Sequence, residues 1–378
     1  MKIKQLIKDR NFYYQKLKRN IFNFLMKKIP FYSFVNLQEV ALLLTFKCEL
    51  SCIMCGHRNN SEIYRKLVGQ SVLDAELSLE GTREFIDYVS NFSPDFILTG
   101  AEPLENKDCM NIARYIKSKG ANIVLQTNGL YLSKYIGDIV KYIDRVQISL
   151  DGNEETNDII RGRMGLYRIV VDTIKNINLL KEEKKTNKPV VDINFTINDI
   201  NYKLLSKFPQ LMEEENLQIE RIIFRHLFML KKEIIEKSKI EVKKGLGIDI
   251  KYFPAFLYYF DGEKYVPKDL NLLVSEISKI KSKKYKNFKV SFFPNLKEKD
   301  IKEFYISEKV GIKKCIIPYT NLFVMPDGNI SICPCYQIGN ISDKNIDYKL
   351  NPKAVFFRKI MQKDGLFSIC KYCDNLYS

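Results

Sequence analysis

Apolar runs alternate with amphipathic segments along most of the chain, in the order that a parallel sheet with crossover helices requires. Residues 40–46 are a continuous apolar run, typical of a strand buried on both faces. Further strands are predicted at 95–100, 122–127, 145–150, 190–197 and 219–224. Helical spacing predicts helices between them, at 79–91, 107–119, 133–143, 165–181 and 203–215. Six strand–helix units are too few for a closed eight-fold barrel, so we expect an α/β fold with an open, partial (β/α)6 barrel.

The composition and the hydrophobic periodicity change on both sides of this region. Residues 1–36 are basic, with apolar residues at helical spacing, and predict an arm. Residues 37–226 hold the strand–helix units, and the lysine-rich, less periodic residues 227–300 predict a helical connector. Residues 301–378 are dense in cysteine and include a predicted hairpin, 321–333, with Asp-Gly in its turn. We therefore expect four parts, of which the last is a small C-terminal domain.

Composition narrows the class of protein. With 378 residues, 46% of them hydrophobic, the chain is long enough and apolar enough for a large core. It has no run of eighteen apolar residues, and the short apolar patch at 21–26 is followed by two lysines, unlike a secretory signal. The sequence therefore predicts a cytoplasmic protein. There, nine cysteines favour metal or redox chemistry over disulfides.

The charge is strongly positive, with 61 Lys and Arg against 45 Asp and Glu, a net +16. Residues 1–30 alone carry nine basic residues and one acid, Asp9. Such an arm is compatible with an anionic membrane surface, with an anionic substrate, or with plain solvation and no partner, which the overall composition favours. Nucleic acid is disfavoured as a partner, because base-stacking signatures are missing and the chain has no tryptophan.

Three cysteines follow the first predicted strand directly. Cys48, Cys52 and Cys55 have the spacing C-x3-C-x2-C. Three thiolates can hold three irons of a cubane and leave the fourth iron open to another ligand, whereas structural sites usually take four protein ligands. His57 is near enough in sequence to complete a zinc site, which is the alternative interpretation.

A second motif, Thr-Gly-Ala-Glu-Pro at 99–103, ends the second predicted strand, where α/β folds bind ligands. Together with the cysteine spacing it resembles the signature of the radical S-adenosylmethionine superfamily, whose second motif is Gly-Gly-Glu-Pro. Ala101 replaces the second glycine. The resemblance continues through segments 126–129, 149–152, 155–158 and 161–162, and covers residues 37–226.

The resemblance implies roles for specific residues. A [4Fe–4S] cluster would be held by Cys48, Cys52 and Cys55, and its open iron would chelate S-adenosylmethionine. The cofactor's amino group would be held by Gly100, Ala101, Glu102 and Pro103. Its carboxylate or ribose would contact Ser149 or Arg161, and Met54 would pack near the adenine. An electron from flavodoxin or ferredoxin would then yield a 5′-deoxyadenosyl radical that abstracts hydrogen from a substrate.

The C-terminal cysteines resemble the SPASM or twitch extension, which carries an auxiliary [4Fe–4S] cluster. By that resemblance the four ligands of the second cluster would be Cys315, Cys333, Cys370 and Cys373. Cys335 would be spare, and would point the same way as Cys333 if both lay in one strand. A structural zinc on the same four cysteines is the alternative.

The identity of the substrate is the property that the sequence constrains least. Five C-terminal cysteines suit one auxiliary cluster, and the 39 residues before the first predicted strand are too few for a leader-peptide or cobalamin domain. The resemblance then favours a radical oxidoreductase or epimerase acting on a sugar-like or other small molecule. The alternatives are peptide or lipid modification by the same chemistry, and a non-catalytic electron-transfer protein.

Overall fold

A computed structural model of the chain describes residues 17, 19–25, 35–55, 69–227, 232–249, 265–306, 314–343 and 347–373. Ten strands within these ranges form one sheet, in the order β10-β9-β8-β1-β2-β3-β4-β5-β6-β7. The strands are β1 Glu39–Leu43, β2 Asp95–Thr99, β3 Ile123–Thr127, β4 Arg145–Ser149, β5 Val190–Ile197, β6 Arg221–His226, β7 Lys289–Phe293, β8 Asn321–Val324, β9 Asn329–Cys333 and β10 Tyr336–Asn340.

Helices follow most of the parallel strands. They are α1 Gln70–Asp74, α2 Leu79–Ser90, α3 Cys109–Ser118, α4 Ile136–Tyr142, α5 Glu154–Arg161, α6 Leu166–Glu183, α7 Phe208–Glu214, α8 Lys232–Leu246, α9 Leu270–Ser282, α10 Glu298–Ile306, α11 Ile317–Thr320 and α12 Pro352–Lys363. Strands β1 to β7 are parallel to their neighbours throughout. The predicted α/β partial barrel is confirmed.

The two faces of the sheet differ in chemistry. One face packs against helices: Phe195 of β5 and Phe224 of β6 contact Phe208 of α7, at ring distances of 4.7 and 6.3 Å. Because side chains alternate along a strand, the residues between these point to the opposite, concave face of the partial barrel. Polar side chains such as Asn194 and Arg225 lie on that face.

The range 227–300, predicted as a helical connector, contains a strand as well as helices among its described residues. Strand β7 lies inside it and pairs in parallel with β6, so the sheet gains a strand that sequence analysis missed. Its alternation is short and stands among lysines, which hides the period-two signal. Helices α8 and α9 account for most of the remaining described residues of the connector.

The predicted C-terminal hairpin is present, with β8 antiparallel to β9 and a turn in which Gly328 N donates to Met325 O. Strand β8 also pairs in parallel with β1, so this hairpin extends the main sheet. Most of the N-terminal arm lies outside the described residues; residues 19–25 are helical. None of the helices in the described ranges is long and apolar enough to cross a membrane.

Candidate functional site

The three-cysteine loop leaves the carboxyl end of β1 and is fixed from two sides by main-chain hydrogen bonds. On one side Ala101 N donates to Thr45 O (2.9 Å) and Glu102 N donates to Lys47 O (3.0 Å). On the other side Ile53 N donates to Ile160 O near the end of α5 (2.9 Å). The loop therefore joins the two segments that sequence analysis singled out after β2 and in α5.

Two glycines permit these close approaches. Gly100 has φ +134°, and a Cβ there would lie 2.4 Å from Thr45 O. Gly162 ends α5 with φ +67°, and a Cβ there would lie 2.5 Å from Ser51 O. Any side chain at either position would push the cysteine loop away. Ala101, by contrast, does not have a positive φ, so the backbone accepts alanine where the family motif has glycine.

The thiols of this loop lie together at the carboxyl edge of the sheet. Burial, with smaller contributions from the neighbouring Cys52 and Cys55, raises the pKa of Cys48 to about 12. Asn128 Nδ2 lies 3.6 Å from Cys48 Sγ, and Arg161 Nη1 lies 4.0 Å from Cys52 Sγ. Three thiols supported by donor groups fit the thiolate ligands of an iron–sulfur cluster. His57, the fourth ligand in the zinc alternative, lies outside the described residues.

Glu102 is fully buried beneath this loop. Its Oε1 accepts from Thr127 Oγ1 (2.7 Å) and Leu104 N (3.1 Å), and its Oε2 accepts from Asn128 N (2.8 Å). Burial raises the pKa of Glu102 to about 7, against the lowering effect of these donors. The carboxylate thus ties the end of β2 to the end of β3. Its contact with the cofactor's amino group stays a prediction.

Arg161 is held by a buried ion pair. Its Nη2 lies 2.5 Å from Asp151 Oδ2, and Asp151 Oδ1 accepts from Thr196 N (2.7 Å). Burial raises the pKa of Asp151 above its usual value, while Arg161 opposes that shift. Arg161 Nε has no acceptor among the described residues. The guanidinium therefore has a free donor beside the cysteine loop, as its predicted contact with the cofactor requires.

Met54 and Ser149 occupy different settings. Met54 is buried against Ile160, and Asn198 Nδ2 lies 3.6 Å from its Sδ. Ser149 is the last residue of β4, half-buried, and paired in register with Asn194. Sequence analysis missed Asn198, although it directly follows β5 at the strand-end position that marked the other candidates.

The concave face beside these residues is polar. Gln126 donates to Gln147 (3.0 Å), linking β3 to β4. Deeper along the strands, Arg145 and Arg221 both contact the buried Asp192, at 2.7 and 2.8 Å. These paired charges neutralise one another in part and stiffen the floor of the barrel.

Arg225 lies on the same face, nearer the carboxyl edge. Its guanidinium is 4.9 Å from the Phe293 ring, and its Nε is 3.5 Å from Asn194 Oδ1. No carboxylate of the described residues lies within 4.0 Å of it, unlike the other two arginines on this face. A half-buried guanidinium without an acidic partner is suited to an oxyanion group of a bound molecule.

The second set of cysteines lies in the C-terminal region. Cys315 precedes α11, Cys333 ends β9, and Cys370 and Cys373 lie at the 3₁₀ turn Ser368–Tyr372. Burial raises the pKa of Cys370, and so do the neighbouring Cys333, Cys315 and Cys373. The fold thus brings these four thiols within electrostatic reach of one another.

Cys335 is close to this set. It lies in the turn between β9 and β10 rather than in a strand, and its Sγ is 3.1 Å from that of Cys333. The turn therefore brings the thiols of Cys333 and Cys335 together, although alternation along a single strand was expected to do so.

Among the described residues, no three or more His, Cys, Asp or Glu side chains are arranged to hold a single metal ion.

The cysteine loop and the strands around it are similar to a known protein family. Residues 42–203 match the sequence profile of the radical SAM superfamily. The chain carries a radical SAM domain. The match spans β1 to β5, with the cysteine loop and the turn at 99–103, as the sequence motifs predicted.

Curated relatives share this part of the chain. Fe-coproporphyrin III synthase of Methanosarcina barkeri is 32% identical over 187 residues, which cover 49% of this chain and 42% of that protein. The mycofactocin maturase MftC of Mycolicibacterium smegmatis is 30% identical over 139 residues, covering 36% and 33%. The chain thus matches less than half the length of each of these relatives.

Solved structures resemble the chain over most of its length. Streptococcus suis SuiB, bound to S-adenosylmethionine or to the precursor peptide SuiA, has a TM-score of 0.51 in both cases, at 15% and 16% identity. The likeness covers 96% and 91% of this chain and 69% of SuiB. It shows a shared fold. The radical SAM domain supports a [4Fe–4S] cluster and S-adenosylmethionine as cofactors of this chain.

Proposed function

We propose that the chain is a radical SAM enzyme that oxidises or epimerises a polar, sugar-like or other small molecule. The observation that carries the proposal is the cysteine loop, locked by hydrogen bonds to the turn after β2 and to α5. Cluster and cofactor, when bound, supply a 5′-deoxyadenosyl radical that removes a hydrogen atom from the substrate. The protein's task is to position the reactants and exclude water.

In this proposal Cys48, Cys52 and Cys55 hold the cluster, and Asn128 and Arg161 donate to two of its thiolates. The main chain of Gly100, Ala101 and Pro103 meets the cofactor's amino group, with Glu102 fixing that turn from below. Arg161 directs its free Nε towards the cofactor's carboxylate or ribose, and Ser149 contributes from the end of β4. Met54 packs against the adenine.

The concave face supports a polar substrate. Gln126, Gln147 and Asn194 offer amide donors and acceptors, and Arg225 offers a guanidinium that has no acidic partner among the described residues. Polar hydroxyl or carboxylate groups of a small molecule match such a wall better than an apolar ligand does.

We also propose that Cys315, Cys333, Cys370 and Cys373 hold a second [4Fe–4S] cluster. Their mutual proximity supports this, and four thiolates would leave no open iron. When bound, such a cluster would supply an electron acceptor, and the net reaction would then be an oxidation. Flavodoxin or ferredoxin would supply the first electron in the cytoplasm.

Peptide modification is the second candidate. The relatives include a mycofactocin maturase, and a structural neighbour is bound to its precursor peptide. The curated relatives are matched over less than half their length, and SuiB shares only the fold, so these names support a class of substrate and no particular peptide. Fe-coproporphyrin III synthase adds haem precursors to the substrates worth testing.

The test begins with anaerobic reconstitution and reduction by dithionite, followed by measurement of 5′-deoxyadenosine. Wild type should form it, and Cys52→Ala should not. Cys109→Ala is the matched control, because Cys109 is a buried cysteine outside both sets. Absence of 5′-deoxyadenosine from reconstituted wild type would favour the non-catalytic electron carrier. Substrate panels of sugars and peptides then separate the two candidates, and solvent deuterium in the product marks epimerisation.

A further inference from the structure

The helix of residues 19–25 has two unlike faces. Its inner face docks on the protein: Arg19 Nη1 lies 2.6 Å from Asp95 Oδ2, and Gln38 Nε2 donates to Asn23 Oδ1 at 2.8 Å. Between them Phe22 is buried against Tyr319. At 100° per residue these three helix positions span one arc of about 100°. This face therefore anchors the helix on the described part of the sheet.

The opposite arc is apolar and faces solvent. It holds Leu17, Ile21 and Leu25, which are 58%, 51% and 45% exposed. Their spacing of four residues places them within about 80° of helix surface. A monomeric protein rarely leaves a whole helix stripe of large apolar side chains in water, so this face calls for a covering surface.

The charge of the surrounding sequence identifies the kind of surface. Residues 1–30 hold nine Lys and Arg against one acid, and Lys16, Lys18, Lys27 and Lys28 flank the exposed face in sequence. An apolar helix face bordered by lysines matches an interface with anionic lipid. A second copy is a poor occupant, because each chain carries a net charge of +16. We propose that this helix lies on an anionic membrane surface.

The position of the helix keeps such a contact apart from the chemistry. Asp95 is the first residue of β2, and Gln38 immediately precedes β1. The helix therefore packs at the amino edge of the parallel strands. The cysteine loop follows the carboxyl end of β1, at the opposite edge. Membrane docking would leave that edge open to cofactor and substrate, so the proposal does not depend on the proposed reaction.

The experiment is vesicle flotation of the full-length protein. Vesicles of phosphatidylserine and phosphatidylcholine should bind wild type, vesicles of phosphatidylcholine alone should bind it much less, and added salt should weaken binding steeply. The double variant Ile21→Asn/Leu25→Asn should lower the partition coefficient by roughly tenfold or more, because two large apolar side chains no longer enter the lipid. The matched control is Leu179→Asn/Ile240→Asn, which removes two exposed apolar side chains of helices α6 and α8.

Three outcomes would overturn the proposal. The first is failure of wild type to float with anionic vesicles at low salt. The second is an equal loss of vesicle binding in both double variants, because any exposed apolar side chain would then contribute to binding as much as this helix face does. The third is concentration-dependent dimerisation in sedimentation velocity that only Ile21→Asn/Leu25→Asn abolishes, which would identify a second copy as the occupant. Formation of 5′-deoxyadenosine by Ile21→Asn/Leu25→Asn should equal that of wild type, and this measurement reports separately on the proposed function.

Discussion

The two cysteine regions differ in what surrounds their thiols. The side chains that contact Cys48 and Cys52 include an amide and a guanidinium, and a carboxylate is buried close to them. The pKa of Cys370 is raised most by burial, and next by three neighbouring cysteines. The thiols of the first region lie near side-chain donors, whereas those of the second affect one another most strongly.

This difference follows from where each set sits in the fold. The first lies at the carboxyl edge of parallel strands, where loops meet and ligands bind. The second lies between a hairpin, a short helix and a 3₁₀ turn, near the buried Arg358, which donates to the carbonyls of Pro318, Tyr348 and Lys349. We infer that the donors around the first set suit a centre that also binds another molecule, whereas the second set suits a centre held by its own four thiols.

The largest expected effect comes from removing the first set. Cys48→Ala/Cys52→Ala/Cys55→Ala should abolish 5′-deoxyadenosine formation and lower bound iron from about eight to about four per chain, because one of two cubanes is lost. Iron analysis after anaerobic reconstitution measures this, with Cys109→Ala as the control. Iron unchanged in the triple variant would refute the assignment.

Removing cysteines of the second set should lower the iron content without abolishing the cleavage of S-adenosylmethionine. Cys370→Ala/Cys373→Ala should also lose about four irons per chain, yet still form 5′-deoxyadenosine, because the first region does not depend on these thiols. Iron and zinc are measured together by elemental analysis. A stoichiometric zinc lost with these cysteines would replace the second cluster by a structural zinc site.

The buried ion pair of Asp151 and Arg161 should contribute more to the free energy of unfolding than an exposed ion pair does. Asp151→Asn leaves Arg161 buried without its counter-charge, and we expect a loss of about 3–5 kcal/mol in the free energy of unfolding. Urea denaturation measures this. Asp138→Asn is the control: its 3.9 Å contact with Arg114 is exposed, so its loss should cost under about 1 kcal/mol. Equal losses would mean that the pair contributes no more than a surface contact.

Glu102 should link stability to pH. Its folded-state pKa of about 7 lies above the ordinary 4.5, so its stabilising contribution is present below about pH 4.5 and is lost as pH rises through 7. Glu102→Gln should remove this dependence, and at neutral pH should cost about 1–3 kcal/mol, because the amide meets the Asn128 N–H as a second donor.

Urea midpoints near pH 5 and pH 8 test the prediction for Glu102. The exposed Glu155→Gln should retain the pH dependence of wild type. If Glu102→Gln lost the cluster outright, the role of this carboxylate would be to support the cysteine loop rather than the cofactor. If it retained iron and bound S-adenosylmethionine more weakly, the predicted contact with the amino group would be supported.

The smallest effect on iron is expected from Cys335→Ala. We expect the variant to keep its iron, because four other thiols are available. Retained iron and turnover would make Cys335 a spare thiol and favour oxidation. Retained iron with 5′-deoxyadenosine but no product would favour an epimerase in which this thiol returns a hydrogen atom. Lost iron would make Cys335 a ligand, which its 3.1 Å distance from Cys333 also permits.

Several features of the molecule could be predicted from local pattern alone. All six predicted barrel strands overlap observed ones, because each is a short run rich in apolar and β-branched residues, although β1 ends three residues before its predicted end. The sixth, β6, begins two residues later than predicted. The radical SAM domain followed from one spacing and one strand-end motif. In both cases the determining signal lies within a few neighbouring residues.

Other features depend on contacts between distant segments. Strand β7 becomes visible only as the partner of β6, and only the pairing of β8 with β1 shows that the predicted hairpin extends the main sheet. The charge pair of Asp151 and Arg161 joins the loop after β4 to the end of α5, and Asn198 reaches Met54 across 144 positions. Glu102 was predicted as a ligand contact, and its three donors from the ends of β2 and β3 emerged with the fold. The sequence by itself determined which chemical groups are present and in what order along the chain. Tertiary structure decided their hydrogen-bond partners and burial, because both depend on residues that only folding brings together.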